Sequence, residues 1–124
     1  MDQSIAAYKQ ALTEGLSDET REIACQNAYQ AYRYAKDIDK GPREDTRRAA
    51  CKEARWALVY AGQIDQCPRK DTREASCMAP SFAYKYAIYI DKDFHEDTWA
   101  AVKGTEWEWK YLMFLNVPMK QQII

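Results

Sequence analysis

A single histidine and four scattered glycines in 124 residues leave little room for most familiar catalytic arrangements. His95 has no repeated partner and no matched nucleophile near it in the sequence. No glycine-rich phosphate loop is present, because the glycines stand singly. No apolar run approaches the roughly eighteen residues that a membrane span requires. Charge of one sign is also lacking: 18 basic and 19 acidic residues leave a formal net charge of −1. No global field then drives the chain onto nucleic acid or an anionic membrane surface. Met1 to Thr13 carries polar and acidic residues where a secretory signal would be basic and then apolar. The expectation is a cytoplasmic protein that is not an enzyme and uses no cofactor or metal.

What is present is a repeat. Thr20, Thr46, Thr72 and Thr98 stand 26 residues apart without an insertion. Arg21, Arg47 and Arg73 keep the same interval, as do Cys25, Cys51 and Cys77. So do Ala31, Ala57 and Ala83; Tyr34, Tyr60 and Tyr86; Ile38, Ile64 and Ile90; and Asp39, Asp65 and Asp91. Self-similarity at a period between 20 and 50 residues marks a solenoid or related array. The reading is a single domain in which residues 1–15 form an N-terminal half-repeat. Residues 17–42, 43–68 and 69–94 are full repeats, and 95–124 form a degenerate capping repeat with a tail.

Spacing identifies the parts of each unit. Ala31, Tyr34, Ala35 and Ile38 fall at i, i+3, i+4 and i+7, one face of an α-helix. A shorter segment precedes it, with Thr20, Ile23 and Ala24 at helical spacing. Asp71-Thr72-Arg73-Glu74 has the spacing of a capping box. Asn27, Pro80 and Gly104 interrupt the middle of their units, and proline belongs in the first turn of a helix. Two helices per unit follow, with Pro80 opening the second. Gly15 and Gly41 sit where a left-handed C-cap is common, and Pro42 and Pro68 stop the chain nearby. The predicted fold is all-α, a right-handed α-solenoid of helix-turn-helix repeats; the alternative is an up-down bundle of single long helices. In fixed 26-residue register the last copy puts Trp99 for Arg, Lys103 for Cys, Leu112-Met113 for Tyr-Ala and Val117 for Asp.

The motifs Asp45-Thr46-Arg47-Arg48-Ala49-Ala50-Cys51 and Ala83-Tyr84-Lys85-Tyr86-Ala87 resemble the short α-helical tandem repeats of uncharacterised viral, phage and protist proteins. The resemblance covers almost the whole chain. It implies architecture and a viral or mobile-element origin, hence the host cytoplasm, but no activity.

Equivalent cysteines in a stacked array lie about 10 Å apart. That exceeds the reach of a disulfide or of a shared zinc ion, so these residues read as small buried apolar groups. Cys67, in a loop beside Pro68, reads as a surface thiol. Asp39, Asp65 and Asp91 end helices whose dipole disfavours them, and Arg47 and Arg73 open the following units. Arg–Asp pairs linking successive units are therefore expected. The alternative makes Arg21, Arg47 and Arg73 a phosphate- or nucleic-acid-binding row.

Outward positions of the second helices vary while the packing positions stay constant. They read Tyr29, Arg33 and Asp37; Arg55, Val59 and Gln63; Ser81, Lys85 and Tyr89; and Trp107, Tyr111 and Leu115, with Phe114 close by. The last of these lines is apolar and aromatic, as interface anchors are. The expectation is a protein-binding repeat module, in its specific form a small phage-encoded inhibitor of a host defence protein. A structural homo-oligomer, self-associating through the C-terminal repeat, is the remaining alternative, and Val117 to Ile124 could instead fold back over the aromatic end.

Overall fold

A computed structural model describes residues 18–116. Among these residues the chain is all-α, with no strand. In chain order the helices are α1 (Asp18–Ala24), α2 (Ala28–Tyr34), α3 (Glu44–Ala50), α4 (Ala54–Tyr60), α5 (Lys70–Ser76), α6 (Pro80–Tyr86), α7 (Glu96–Val102) and α8 (Glu108–Phe114). Each unit thus contains two helices, as the interrupted middles predicted. The N-terminal half-repeat, Gly15 and the tail from Val117 lie outside the described residues.

The break between the helices forms with or without a breaker residue. Asn27 caps α2 by accepting from Gln30 N at 3.0 Å, and Pro80 opens α6. In the second unit Glu53 holds the same extended conformation, φ −134° and ψ 135°, with no side-chain cap. A residue in that conformation is ready to precede proline. Ala54→Pro is accordingly expected to fold normally and gain about 0.4–1 kcal/mol, read by thermal unfolding. Ala57→Pro serves as the interior control, because Ala57 N bonds Glu53 O at 3.0 Å. It should lose about 3 kcal/mol or more.

The second helices do not end as ordinary α-helices. Each of α2, α4 and α6 continues into a five-residue π turn: Ala35–Asp39, Ala61–Asp65 and Ala87–Asp91. The N–H groups of Gln66 and Lys92 reach back five residues to the carbonyls of Ala61 and Ala87, at 2.8 and 2.6 Å. This closure makes the residue after Asp reverse the chain, so the left-handed positions are Lys40, Gln66 and Lys92. The expectation for Gly41 is corrected: it follows the left-handed residue, and a side chain there would meet open space. The capping box is corrected as well. Arg69 is the cap residue of α5 without a side-chain bond, and the Thr72 hydroxyl is drawn instead to Tyr86, 2.7 Å away.

The core is built from alanine and tyrosine. Ala31, Ala57 and Ala83 are fully buried beside Tyr34, Tyr60 and Tyr86. Residues without a bulky side chain let helices approach closely, and one aromatic ring per unit fills the remaining space. Each second helix touches the first helix of the next unit most extensively, and α2, α4 and α6 also touch in sequence.

Candidate functional site

The constant residues of each unit form one internal frame. Tyr60 Oη lies 2.7 Å from Thr46 Oγ1, accepts from Arg43 N at 3.0 Å and lies 3.1 Å from Arg43 O. Tyr86 repeats this with Thr72 and Arg69, and Tyr34 pairs with Thr20 at 3.0 Å. Over each ring sits an arginine: Arg21, Arg47 and Arg73 are 5.0, 5.8 and 5.7 Å from the centroids of Tyr34, Tyr60 and Tyr86. Each guanidinium then grips the aspartate of its own π turn. Arg47 bonds Asp65 at 2.6 and 3.0 Å, Arg73 bonds Asp91 at 2.6 and 2.9 Å, and Arg21 bonds Asp39 at 2.5 and 2.8 Å. These hydrogen bonds raise all three arginine pKa values, against the opposing effect of burial.

Two expectations change here. Each π-turn aspartate pairs with the arginine of its own unit rather than with the one opening the next, because the π turn bends it back over its own first helix; an Arg–Asp contact between successive units does form, but from Arg21 to Asp45, at 3.7 Å. The proposed phosphate row, Arg21, Arg47 and Arg73, is committed to those aspartates. Arg21 and Arg47 are only 5% and 6% exposed, so no guanidinium fork is offered to solvent.

The fourth unit departs from the frame by one residue. Tyr111, not Leu112, takes the buried tyrosine position and bonds the backbone of His95, 2.9 Å from N. It lies 13 residues after Thr98, where the other units have 14. The 103–107 connection contains Gly104 at φ 80° and re-phases α8. No π turn follows among the described residues; Asn116, at φ 63°, ends the helix with its N–H bonded to Met113 O at 3.0 Å. The π turn and the Arg–Asp pair are lost together, in keeping with the turn's role of delivering the aspartate.

This shift redraws the candidate surface. Tyr111 is fully buried and is removed from it. Leu115 and Trp107 are half-buried and pack on the core of Ala83, Ala87, Val102 and Tyr111, with Trp107 5.5 Å from Tyr84. Val59 packs on the core of Tyr32, Ala35, Ala50 and Tyr60. Tyr29 packs tilted against Trp56, ring centroids 4.7 Å apart, and accepts a hydrogen bond from Arg33 at 2.8 Å. Arg55, Lys85 and Tyr89 are exposed as expected, and Phe114 is 36% exposed. The exposed apolar residues of α8 are Trp109 at 51% and Met113 at 61%. With Tyr84, Ile88, Lys110 and Phe114 they line an open cavity of about 550 Å³. Matching the last copy on its tyrosine, with one residue deleted, would have found them from sequence: Trp109 then aligns with Tyr32, Leu58 and Tyr84.

Burial lifts the thiols of Cys25, Cys51 and Cys77 to pKa values of about 11, 12 and 11, so thiolate is scarce near neutrality. They are half-buried, and Cys67 is exposed. Iodoacetamide at pH 8 is therefore expected to label Cys67 rapidly and the other three slowly, checked by peptide mass spectrometry. Rapid labelling of Cys51 would contradict this environment. His95 acts locally, its Nδ1 accepting from Asp97 N at 3.2 Å at the start of α7. Among the described residues no group of three His, Cys, Asp or Glu side chains is placed to hold a metal ion. No described helix is long and apolar enough to cross a membrane.

No protein-family model, curated protein or solved structure matches the chain. The described structure defines an α-helical chain with a recurring two-helix unit.

Proposed function

We propose that the chain is an α-solenoid that works by binding a protein partner, in the manner of a small inhibitor or adaptor. The observation that carries this reading is the exposed apolar end of the fourth unit. Trp109 occupies the position at which Tyr32, only 6% exposed, packs beside the following unit, yet Trp109 is 51% exposed. Together with Met113 and Phe114 it forms a contiguous apolar surface of the kind that anchors interfaces. The constant frame supports the reading, since it leaves the variable positions for recognition.

The test is capture of one dominant protein from host lysate, retained after nuclease treatment. Trp109→Ala combined with Met113→Ala should abolish capture while circular dichroism stays unchanged. Capture that survives both substitutions removes the proposed site. Tyr111→Ala is unsuited to this test, because the residue is buried in the core.

Homo-oligomerisation through the same end is the second reading, favoured by the exposure of Trp109 and Met113. Mass measurement in solution at two concentrations separates the two. A dimer that dissociates on Trp109→Ala would make the end a self-contact, and a concentration-independent monomer would remove this reading.

A further inference from the structure

The near-neutral net charge conceals a division between two faces. In the first helices most cations are paired: Arg48 bonds Glu44 at 2.8 Å, Lys70 lies 3.8 Å from Glu74, and Arg47 and Arg73 hold aspartates. Glu19, Asp45, Asp71 and Asp97 add one acid per unit at the entry to those helices. The second helices and their π turns carry the opposite pattern. Lys36, Arg55, Lys85 and Lys110 have no carboxylate within 4.0 Å among the described residues. The acids of that face are engaged, Asp37 lying 3.7 Å from Arg33 and Glu108 accepting from Gly104 N at 3.1 Å. Unpaired cations thus mark the second-helix face, at different heights in successive units: Arg55 stands about one turn before the position shared by Lys85 and Lys110, and Lys36 about one turn after it.

Aromatic rings hold several of these cations in place. Lys36 lies 5.9 Å from the Tyr32 ring, Lys85 5.5 Å from Phe82, and Lys110 4.4 Å from Trp107. Such contacts orient an ammonium group without neutralising it. We infer that this face binds an extended acidic segment of the protein partner. The inference rests on the protein-binding reading and gives the partner a chemistry. Single-stranded nucleic acid needs open ring faces on which to stack bases. Here most rings are covered by cations or by one another, as in the pairs Tyr29–Trp56 and Tyr84–Trp107, while Tyr89 and Trp109 stay exposed, so the oligothymidylate probe tests whether bases stack there.

The experiment is fluorescence anisotropy on the full chain with three labelled probes of equal length: a (Glu-Pro-Ala) repeat peptide, its (Lys-Pro-Ala) counterpart and oligothymidylate. The glutamate peptide should bind, more weakly as salt rises, and the lysine peptide should not. The variant carrying Arg55→Gln, Lys85→Gln and Lys110→Gln should bind it about tenfold more weakly, at unchanged helical content. No binding of the glutamate peptide, or equal binding by the variant, overturns the inference. Tighter binding of oligothymidylate, lost in the variant, also overturns it and makes the face a nucleic-acid site. If protein capture depends on Trp109 and Met113 while the glutamate peptide fails to bind, the protein-binding reading stands and the acidic-segment inference falls.

Discussion

Asp65→Ala is expected to lower the unfolding free energy by about 3–5 kcal/mol in urea denaturation, among the largest losses for a single side chain. The Asp65 side chain is 1% exposed, and its oxygens receive the 2.6 and 3.0 Å bonds from Arg47. Truncating it leaves a buried guanidinium without the carboxylate it is bonded to, and only the more distant Asp71 acts on it. Removing both partners is a different perturbation. Arg47→Met with Asp65→Leu restores an apolar match and should recover most of the loss, because desolvating two charges offsets much of their attraction. A loss below about 1 kcal/mol for Asp65→Ala would show that the pair contributes no more than a surface ion pair does. Asp65→Asn, which keeps an acceptor, provides a graded variant if the alanine form does not fold.

Tyr60→Ala should cost about 3–5 kcal/mol, and Tyr60→Phe about 1–3 kcal/mol, in the same measurement. The ring is fully buried, so alanine opens a cavity against Ala35, Ala50 and Val59. Phenylalanine preserves the packing but strands the Arg43 N–H and leaves the Thr46 hydroxyl only its 3.2 Å bond to Arg43 O. Burial raises the Tyr60 pKa, and the bonds from Thr46 and Arg43 act in the opposite direction. The phenol therefore stays neutral and available as a donor well above physiological pH. The Tyr60→Phe loss should be matched by Thr46→Val within the same frame, and the two losses should not add, since one hydroxyl pair is broken in both. Fully additive losses would show that the two hydroxyls act independently.

Much of the helical organisation was legible in the residues. Three copies of Ala-x-x-Tyr-Ala-x-x-Ile-Asp in one register place a helix with an apolar face. Pro80 marks where the second helix begins, because proline has no N–H to lose in a first turn. The deletion in the fourth copy was also present in the sequence, but counting at a fixed interval hid it. Tyr111 was then assigned to the surface when its hydroxyl belongs with the buried tyrosines.

By itself, then, the sequence determined the all-α class and the recurrence of Thr, Arg, Tyr and Asp in three full copies, and it marked the break between two helices where Asn27 and Pro80 stand but not in the second unit. Periodicity and local turn chemistry act over a few residues, so they leave a trace in the order of residues. Tertiary structure decided which Arg meets which Asp, because a five-residue π turn rather than an α-helical end carries the aspartate back to its own unit. It also decided that the first helices pair most of their charges while the second helices leave cations open. A net charge is a sum over residues, whereas the field a partner meets depends on which side chains share a face.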